Sequence, residues 1–168
     1  KAKSRNDEKI KKLDRILERS GINPKGVKKY FVEHHLAHAS SAYHLSGFKD
    51  SAIMTLDAAG EFTSTMFADG VSGEIKKIKE ITYPDSLGMF YSVVTEYLGF
   101  EINDGEYKVM GMAPYGDASK IDFKDVLEFD DYEYRINDFF TYSRKKHRYT
   151  EGKMFSKQMV QKWGPPRS

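Results

Sequence analysis

The chain of 168 residues contains no cysteine, which excludes a disulfide framework, a thiolate nucleophile and a cysteine-bound metal. It has no apolar run near the ~20 residues of a membrane span, and no apolar segment follows its charged N-terminus as in a signal peptide. The chain also lacks a large excess of either charge, since its 27 basic and 25 acidic residues leave a net charge of +2. We therefore expect a cytoplasmic protein with neither a membrane nor a nucleic acid as partner.

The sequence also lacks a Walker-type phosphate loop, a nucleophile elbow and the Rossmann glycine pattern. Without cysteine, any metal would have to be bound by histidine, aspartate or glutamate. What the chain does have is apolar material for a core, because 39% of its residues are hydrophobic and 11 Phe, 11 Tyr and 1 Trp are present. This length and composition fit one folded domain.

The spacing of apolar residues predicts an α/β fold in which helices pack on a three-stranded antiparallel meander. Helices are predicted at 6–20, from His34 to Gly47, from Ser86 to Gly99 and from Glu106 to Ala113. Strands are predicted at 29–33, 51–57, 62–68 and 74–81, the last three joined by glycine-rich turns. Beyond residue 120, dense aromatic residues interrupted by charges predict short strands and loops.

The first candidate site is a pair of histidines in the second predicted helix. His34 and His38 are four residues apart, so both imidazoles lie on one helix face, close enough to share a divalent cation. Two histidines make only half a site, and with His35 beside them the alternative is a set of capping or core histidines.

Asp57 strengthens the metal interpretation. It ends an apolar predicted strand, where its carboxylate would project into the crevice that α/β folds use for ligands. Two imidazoles and a carboxylate leave positions open for substrate, as in non-haem iron or catalytic zinc sites. The alternative is a turn residue that bonds its own loop.

Two further segments are candidates for binding phosphate. Around the turn after Asp57, Gly60 would let the backbone approach an anion, while Thr63 and Ser64 offer hydroxyl groups. Farther along, Lys108 could neutralise a phosphate as a point charge, whereas the alternative for this lysine is an exposed helix surface.

Several ordered blocks of the sequence resemble the O-carbamoyltransferases that include nodulation protein U and antibiotic-tailoring enzymes. The resemblance is dense over about residues 28–118, and 164–167 resembles a later signature of the family. The blocks are His34-His35-Leu36-Ala37-His38-Ala39-Ser40-Ser41-Ala42, Leu56-Asp57-Ala58-Ala59-Gly60-Glu61, Pro84-Asp85-Ser86-Leu87-Gly88, Tyr97-Leu98-Gly99-Phe100, Gly105-Glu106-Tyr107-Lys108-Val109-Met110-Gly111-Met112-Ala113-Pro114-Tyr115-Gly116 and Gly164-Pro165-Pro166-Arg167.

The resemblance implies a partial actin/Hsp70-like ATPase (ribonuclease H-like) fold, similar also to the threonylcarbamoyl-transferring subunit of tRNA modification. It implies a two-step reaction in which carbamoyl phosphate and ATP form carbamoyl adenylate with loss of pyrophosphate, before the carbamoyl group passes to a hydroxyl acceptor. His34 and His38 then correspond to the family's metal-binding pair, with Fe²⁺ as the expected cation and Asp57 as the carboxylate ligand. Lys108 and Glu61 are the candidate catalytic residues, and Asp57, Gly60, Thr63, Ser64 and Lys108 the candidate contacts to cofactor.

Members of this family extend beyond both ends of the matching region. We therefore expect residues 1–168 to be one internal fragment of the N-terminal catalytic domain, which needs the rest of its polypeptide and small-molecule substrates; a homodimer is left open. Alone, the fragment is expected to be inactive. The competing hypothesis is a metal- or nucleotide-binding module without turnover, and a kinase of the same superfamily is disfavoured because a histidine pair has no role in ordinary phosphoryl transfer.

Overall fold

A computed structural model describes residues 2–137 and 153–167 of the chain. The chain forms two compact units, Lys1–Val32 and Glu33–Ser168. The smaller unit consists of helix α1 (Ala2–Arg19) and a 3₁₀ turn (Pro24–Gly26). Helix α1 ends where Gly21 adopts the left-handed conformation (φ 76°) that glycine enters without strain. This confirms the predicted first helix and the glycine that ends it.

The larger unit alternates helices with an antiparallel sheet. Its helices are α2 (His34–Ser46), α3 (Leu87–Tyr97), α4 (Glu106–Met112) and α5 (Lys157–Trp163). Its strands are β1 (Asp50–Gly60), β2 (Thr63–Val71), β3 (Glu74–Thr82), β4 (Leu127–Phe129) and β5 (Tyr134–Ile136). None of the described helices has both the length and the apolar character needed to cross a membrane.

The sheet is the predicted meander, with strand order β1-β2-β3 and antiparallel pairing throughout. Alternation along each strand sends every second side chain toward α2. Ile53, Met66 and Ala68 thereby meet Ala39 and Tyr43 of α2 in a buried apolar cluster. This cluster packs α2 against β1 and β2.

A second apolar cluster joins α3 to the C-terminal helix. Val93 and Tyr97 pack against Phe155 and Met159, and all four side chains are buried. The Tyr97 hydroxyl also donates a hydrogen bond to the carbonyl oxygen of Gly164 at 2.6 Å. The segment after α5 is thus fixed beside the C-terminal end of α3.

The structure differs from the sequence expectations in two respects. No strand forms over 29–33, although these residues are all described, because β propensity produces a strand only where a neighbouring strand supplies hydrogen bonds. Helix α5 was not predicted, and the expected short strands beyond residue 120 appear as the β4–β5 hairpin. That expectation also covers 138–152, which lie outside the described residues. The architecture is mixed α/β, and the relation to actin-like ATPases stays a prediction.

Candidate metal centre

His34, His38 and Asp57 converge at one point on the surface of the larger unit. Each offers one ligand atom, and the three atoms lie within 4.8 Å of one another. The His34 Nε2 atom lies 2.5 Å from Asp57 Oδ2 and 3.0 Å from His38 Nε2, while His38 Nε2 lies 3.4 Å from the same carboxylate oxygen. The structure therefore brings the three residues together, and their binding of a metal stays a prediction.

These separations suit a transition metal. Ligand atoms about 2.0–2.2 Å from a cation are roughly 3.0–3.5 Å apart in octahedral or tetrahedral coordination. Two of the three separations fall in this range, and the third, between His34 and Asp57, needs to lengthen by less than about 1 Å. All three side chains are partly open to solvent, with 38%, 53% and 31% of the His34, His38 and Asp57 side chains exposed. A cation and a further ligand can therefore reach the point where they converge.

Asp57 is held in its ligand orientation by its own backbone. The amide of Ala58 donates a hydrogen bond to Asp57 Oδ1 at 2.6 Å, which leaves Oδ2 directed at the imidazoles. Burial raises the pKa of Asp57, but the hydrogen bonds from His34 and the Ala58 amide outweigh this effect and leave the pKa below its usual value. The carboxylate is therefore ionised at neutral pH, the form in which it binds a cation.

The N-terminal end of α3 supports the strand that carries Asp57. The Ser86 hydroxyl caps this helix by accepting a hydrogen bond from the Met89 amide at 3.0 Å, and it lies 2.7 Å from the carbonyl oxygen of Ala58. Gly88 is required at this contact, because a Cβ there would lie 2.7 Å from the backbone of Asp57. The strand end and the helix start thus form one rigid unit.

The end of β1 at Gly60 packs against the rings of His34 and His35. At Gly60, an added Cβ would lie 2.3 Å from Cδ2 of His34 and 2.9 Å from Cδ2 of His35. The next residue, Glu61, adopts a left-handed conformation with φ of 61°. It borders a cavity of about 220 Å³, whose lining residues are Glu33, Gly60, Glu61, Phe62, Thr63, Lys77 and Glu80. Gly60 therefore approaches imidazole rings, and its contact with a phosphate stays a prediction.

The two hydroxyl groups proposed for phosphate already have partners. Thr63 donates to a carboxylate oxygen of Glu80 at 3.2 Å. The fully buried Ser64 hydroxyl is directed at the carbonyl oxygens of Ile81, at 3.1 Å, and of Asp85. Phosphate binding by either residue stays a prediction that requires these bonds to open.

Lys108 lies away from the metal ligands. Its Nζ is 5.9 Å from the ring centroid of Phe100, which follows the C-terminal end of α3, whereas Asp57 contacts the N-terminal end. The two contacts are thus at opposite ends of α3, an 11-residue helix roughly 16 Å long. The guanidinium of Arg167 lies 5.8 Å from the same ring centroid and donates a hydrogen bond to Met112 Sδ. The family signature at 164–167 was the only signal in the sequence for this second cation.

Three relatives match about half of the chain. It is 44% identical over 92 residues to the uncharacterized protein sll1178 of Synechocystis sp., which covers 55% of this chain and 15% of that protein. It is 48% identical over 89 residues to nodulation protein NolNO of Sinorhizobium fredii, covering 53% and 13% of the two chains. Nodulation protein NolO of Bradyrhizobium diazoefficiens is 42% identical over 89 residues, covering 53% and 16%. The chain therefore spans 13% to 16% of the length of these relatives.

The family comparison covers much more of the chain. The profile of the carbamoyltransferase N-terminus matches residues 6–163, a range that includes all three candidate metal ligands, Glu61 and Lys108. The chain belongs to the carbamoyltransferase family, and the matching region is the N-terminus of that family.

Proposed function

We propose that this chain forms the metal-binding part of a longer carbamoyltransferase that modifies a hydroxyl acceptor. The observation that carries the proposal is the convergence of His34, His38 and Asp57 on one point. Membership of the carbamoyltransferase family supports it. The proposed substrates are ATP, carbamoyl phosphate and a small molecule with a free hydroxyl group.

The proposed reaction has two steps. In the first, carbamoyl phosphate, ATP and water give carbamoyl adenylate with release of pyrophosphate and phosphate. In the second, the acceptor oxygen forms a bond to the carbamoyl carbon, the bond from that carbon to AMP breaks, and the hydroxyl proton passes to a base. Both steps place negative charge on oxygen atoms, which a cationic site stabilises.

The metal would be a divalent transition ion, with Fe²⁺ as the first candidate. Imidazole nitrogen suits iron, cobalt and zinc, whereas magnesium favours an all-oxygen environment. When bound, such an ion supplies Lewis-acid stabilisation of developing charge and orients the reacting oxygen. The residues that would hold it are His34, His38 and Asp57, whose ligand atoms lie within 4.8 Å of one another.

The roles proposed for the other candidate residues follow from their surroundings. Glu61 lies exposed at the rim of the cavity beside Gly60, where its carboxylate is free to accept the proton of an acceptor hydroxyl. Lys108 and Arg167 lie over the ring of Phe100 at the other end of α3. Two cations on one ring favour an anion such as a phosphate group, so these residues are proposed to bind substrate rather than to act at the metal.

A comparison of this chain with a longer polypeptide that contains it tests the proposal. Pyrophosphate release from ATP is measured in the presence of carbamoyl phosphate and a polyol acceptor. We expect release by the longer protein, a decrease of roughly 10²–10³ for Asp57→Ala or His38→Ala, and none by this chain alone. Equal release by both proteins would contradict the requirement for the remaining polypeptide.

The second candidate function is a binding module without turnover. It is favoured by the ligand atoms being already within reach of a single cation, without any other part of a larger protein. Calorimetric titration with ferrous ion and with ATP, together with the transfer assay, separates the two. If the chain is a binding module, both this chain and the longer polypeptide bind ferrous ion and ATP, and neither transfers a carbamoyl group.

A further inference from the structure

His35 turns away from the metal ligands and into the protein. Its side chain is fully buried, whereas the neighbouring His34 is partly exposed. The Nδ1 atom of His35 lies 2.7 Å from the hydroxyl oxygen of Thr55 on β1, and its Nε2 lies 2.8 Å from the carbonyl oxygen of Thr63 on β2. One imidazole therefore connects the first turn of α2 to both strands of the hairpin.

The two contacts define the hydrogen bonds of the ring. A carbonyl oxygen only accepts, so Nε2 carries a hydrogen and donates it to Thr63. In the neutral ring Nδ1 is then an acceptor, and the hydroxyl of Thr55 donates to it. Both nitrogen atoms are satisfied where water has no access, and directional bonds of this kind leave the ring a single orientation.

The contact of His35 with Thr55 lies next to the contact of His34 with Asp57. Thr55 and Asp57 are two residues apart on β1, and both side chains meet histidines of α2: Thr55 meets His35, and Asp57 meets His34. The backbone of Gly60 lies against the rings of both histidines. On β1, the residue that contacts His35 is therefore only two positions before Asp57, the candidate metal ligand that contacts His34.

The other attachments of α2 are apolar packing, the hydrogen bonds of the Tyr43 hydroxyl with Lys49 and Gly73 toward the C-terminal end of the helix, and the partly exposed ion pair of Glu33 with Lys77. Ala39 and Tyr43 pack on the sheet, and such contacts tolerate a small slide of the helix better than directional hydrogen bonds do. A metal centre tolerates little displacement of its ligands, because they have to be held within about 0.5 Å of their positions. His35 supplies the directional constraint at the end of the helix that carries His34 and His38.

We propose that His35 is a positioning residue of the metal centre. Its bonds to Thr55 and Thr63 fix the start of α2 against the β1–β2 hairpin, so that the imidazoles of His34 and His38 meet the carboxylate of Asp57. This inference rests on the proposed metal site. It adds a buried residue that binds no metal and still determines how tightly metal is bound.

The test titrates Co²⁺ into the whole chain, with calorimetry for affinity and the visible absorption bands of cobalt for ligand geometry. His35→Leu removes both hydrogen bonds, and Thr55→Val removes one of them with little change of shape. We expect ~10–100-fold weaker binding and shifted cobalt bands for His35→Leu, and a smaller loss for Thr55→Val. His35→Gln, whose amide can still donate to Thr63, should recover part of the affinity.

The control is Ile53→Val, which disturbs the apolar cluster beneath α2 without touching the hydrogen bonds. It should bind Co²⁺ like the wild type with unchanged bands. Wild-type affinity and spectrum in His35→Leu would overturn the role of His35 and leave the metal site standing. Equal losses in His35→Leu and Ile53→Val would reduce the role to general stability and also overturn it. Failure of the wild type to bind Co²⁺ would overturn the metal site and this inference together.

Discussion

Ser86, the residue that caps α3, donates a hydrogen bond to the carbonyl oxygen of Ala58 at the end of β1, with 2.7 Å between the oxygen atoms. The same hydroxyl lies 3.1 Å from the carbonyl oxygen of Asp57. One buried side chain thus begins a helix and supports the backbone of a candidate metal ligand. The stability of α3 and the position of Asp57 are therefore coupled.

Replacement of Ser86 by alanine should lower the free energy of unfolding and weaken metal binding together. Loss of the cap costs ~0.5–2 kcal/mol, and the carbonyl of Ala58 loses its partner, which together gives roughly 1–3 kcal/mol. Urea unfolding and Co²⁺ titration measure the two effects. The matched control is Ser156→Ala, which removes the buried cap of α5 and should leave Co²⁺ affinity unchanged. Equal effects of both variants on metal affinity would contradict the coupling.

The double variant His34→Ala, His38→Ala should lose the bound transition metal. Only the carboxylate of Asp57 then remains of the three ligands, and a single exposed oxygen donor does not retain such an ion. Elemental analysis after dialysis against Fe²⁺ or Co²⁺ provides the measurement. His44→Ala, an exposed histidine of the same helix, serves as the control and should retain full occupancy. Unchanged occupancy in the double variant would show that metal binds elsewhere.

Gly60→Ala should damage the site without removing any ligand. The new Cβ would lie 2.3 Å from Cδ2 of His34, so the imidazole or the turn has to move. We expect a loss of ~1–3 kcal/mol in stability from overpacking and at least about tenfold weaker binding of Co²⁺. Gly111→Ala in α4 meets nothing within 4 Å and should raise stability by ~0.5–1 kcal/mol with metal binding unchanged. Normal Co²⁺ affinity in Gly60→Ala would show that the turn adapts freely.

Lys108→Gln should weaken binding of inorganic pyrophosphate by about fivefold at low salt, which corresponds to ~1 kcal/mol for one exposed cation. Lys76→Gln on β3 changes the net charge equally at another exposed position and serves as the control. Calorimetric titration of both variants at two salt concentrations measures the difference. The same loss in both would mean that only overall charge matters.

Glu106 should make stability depend on pH. Burial raises the pKa of this carboxyl group, but the Asn103 amide, other backbone amides and the Ser92 hydroxyl outweigh it and lower the pKa. A group with a lowered pKa stabilises the folded state above its unfolded pKa, and this stabilisation is lost as the pH falls through the folded pKa. Glu106→Gln should therefore be less stable than wild type by about 1 kcal/mol at pH 7, and the gap should close as the pH falls through the lowered pKa of Glu106. Urea unfolding at several pH values measures the gap, and one that is constant with pH would contradict the assignment.

The sequence predicted those elements whose signals are local. The predicted cap at Ser86 and the predicted end at Gly99 lie within two residues of the ends of α3. The alternation of apolar and polar residues, together with the glycine-rich turns, predicted the meander. The histidine spacing and the position of Asp57 on a strand likewise predicted that the candidate metal ligands lie together, since helix and strand periodicities determine which side chains share a face. The prediction that the strand ends at Asp57 is wrong, because β1 continues to Gly60.

What the sequence did not predict depends on tertiary contacts. The adjacent residues His34 and His35 have the same side chain, and only packing against the sheet makes one a candidate ligand and the other a buried residue. The sequence predicts phosphate contacts both at Lys108 and at the turn around Gly60, and in the structure Lys108 lies beside Phe100, which follows the C-terminal end of α3. Arg167 reaches Phe100 because α5 packs on α3, a contact without a local signature.

The short separation of the candidate ligands along the chain has a consequence for chain entropy. His34 and Asp57 are 23 positions apart, and His38 lies between them. A cation that bridges them closes a small loop within one helix–hairpin unit, so binding does not wait for distant segments to meet. Such an ion would raise the free energy needed to open α2 from β1. The free energy of opening the C-terminal cluster around Met159 would stay unchanged.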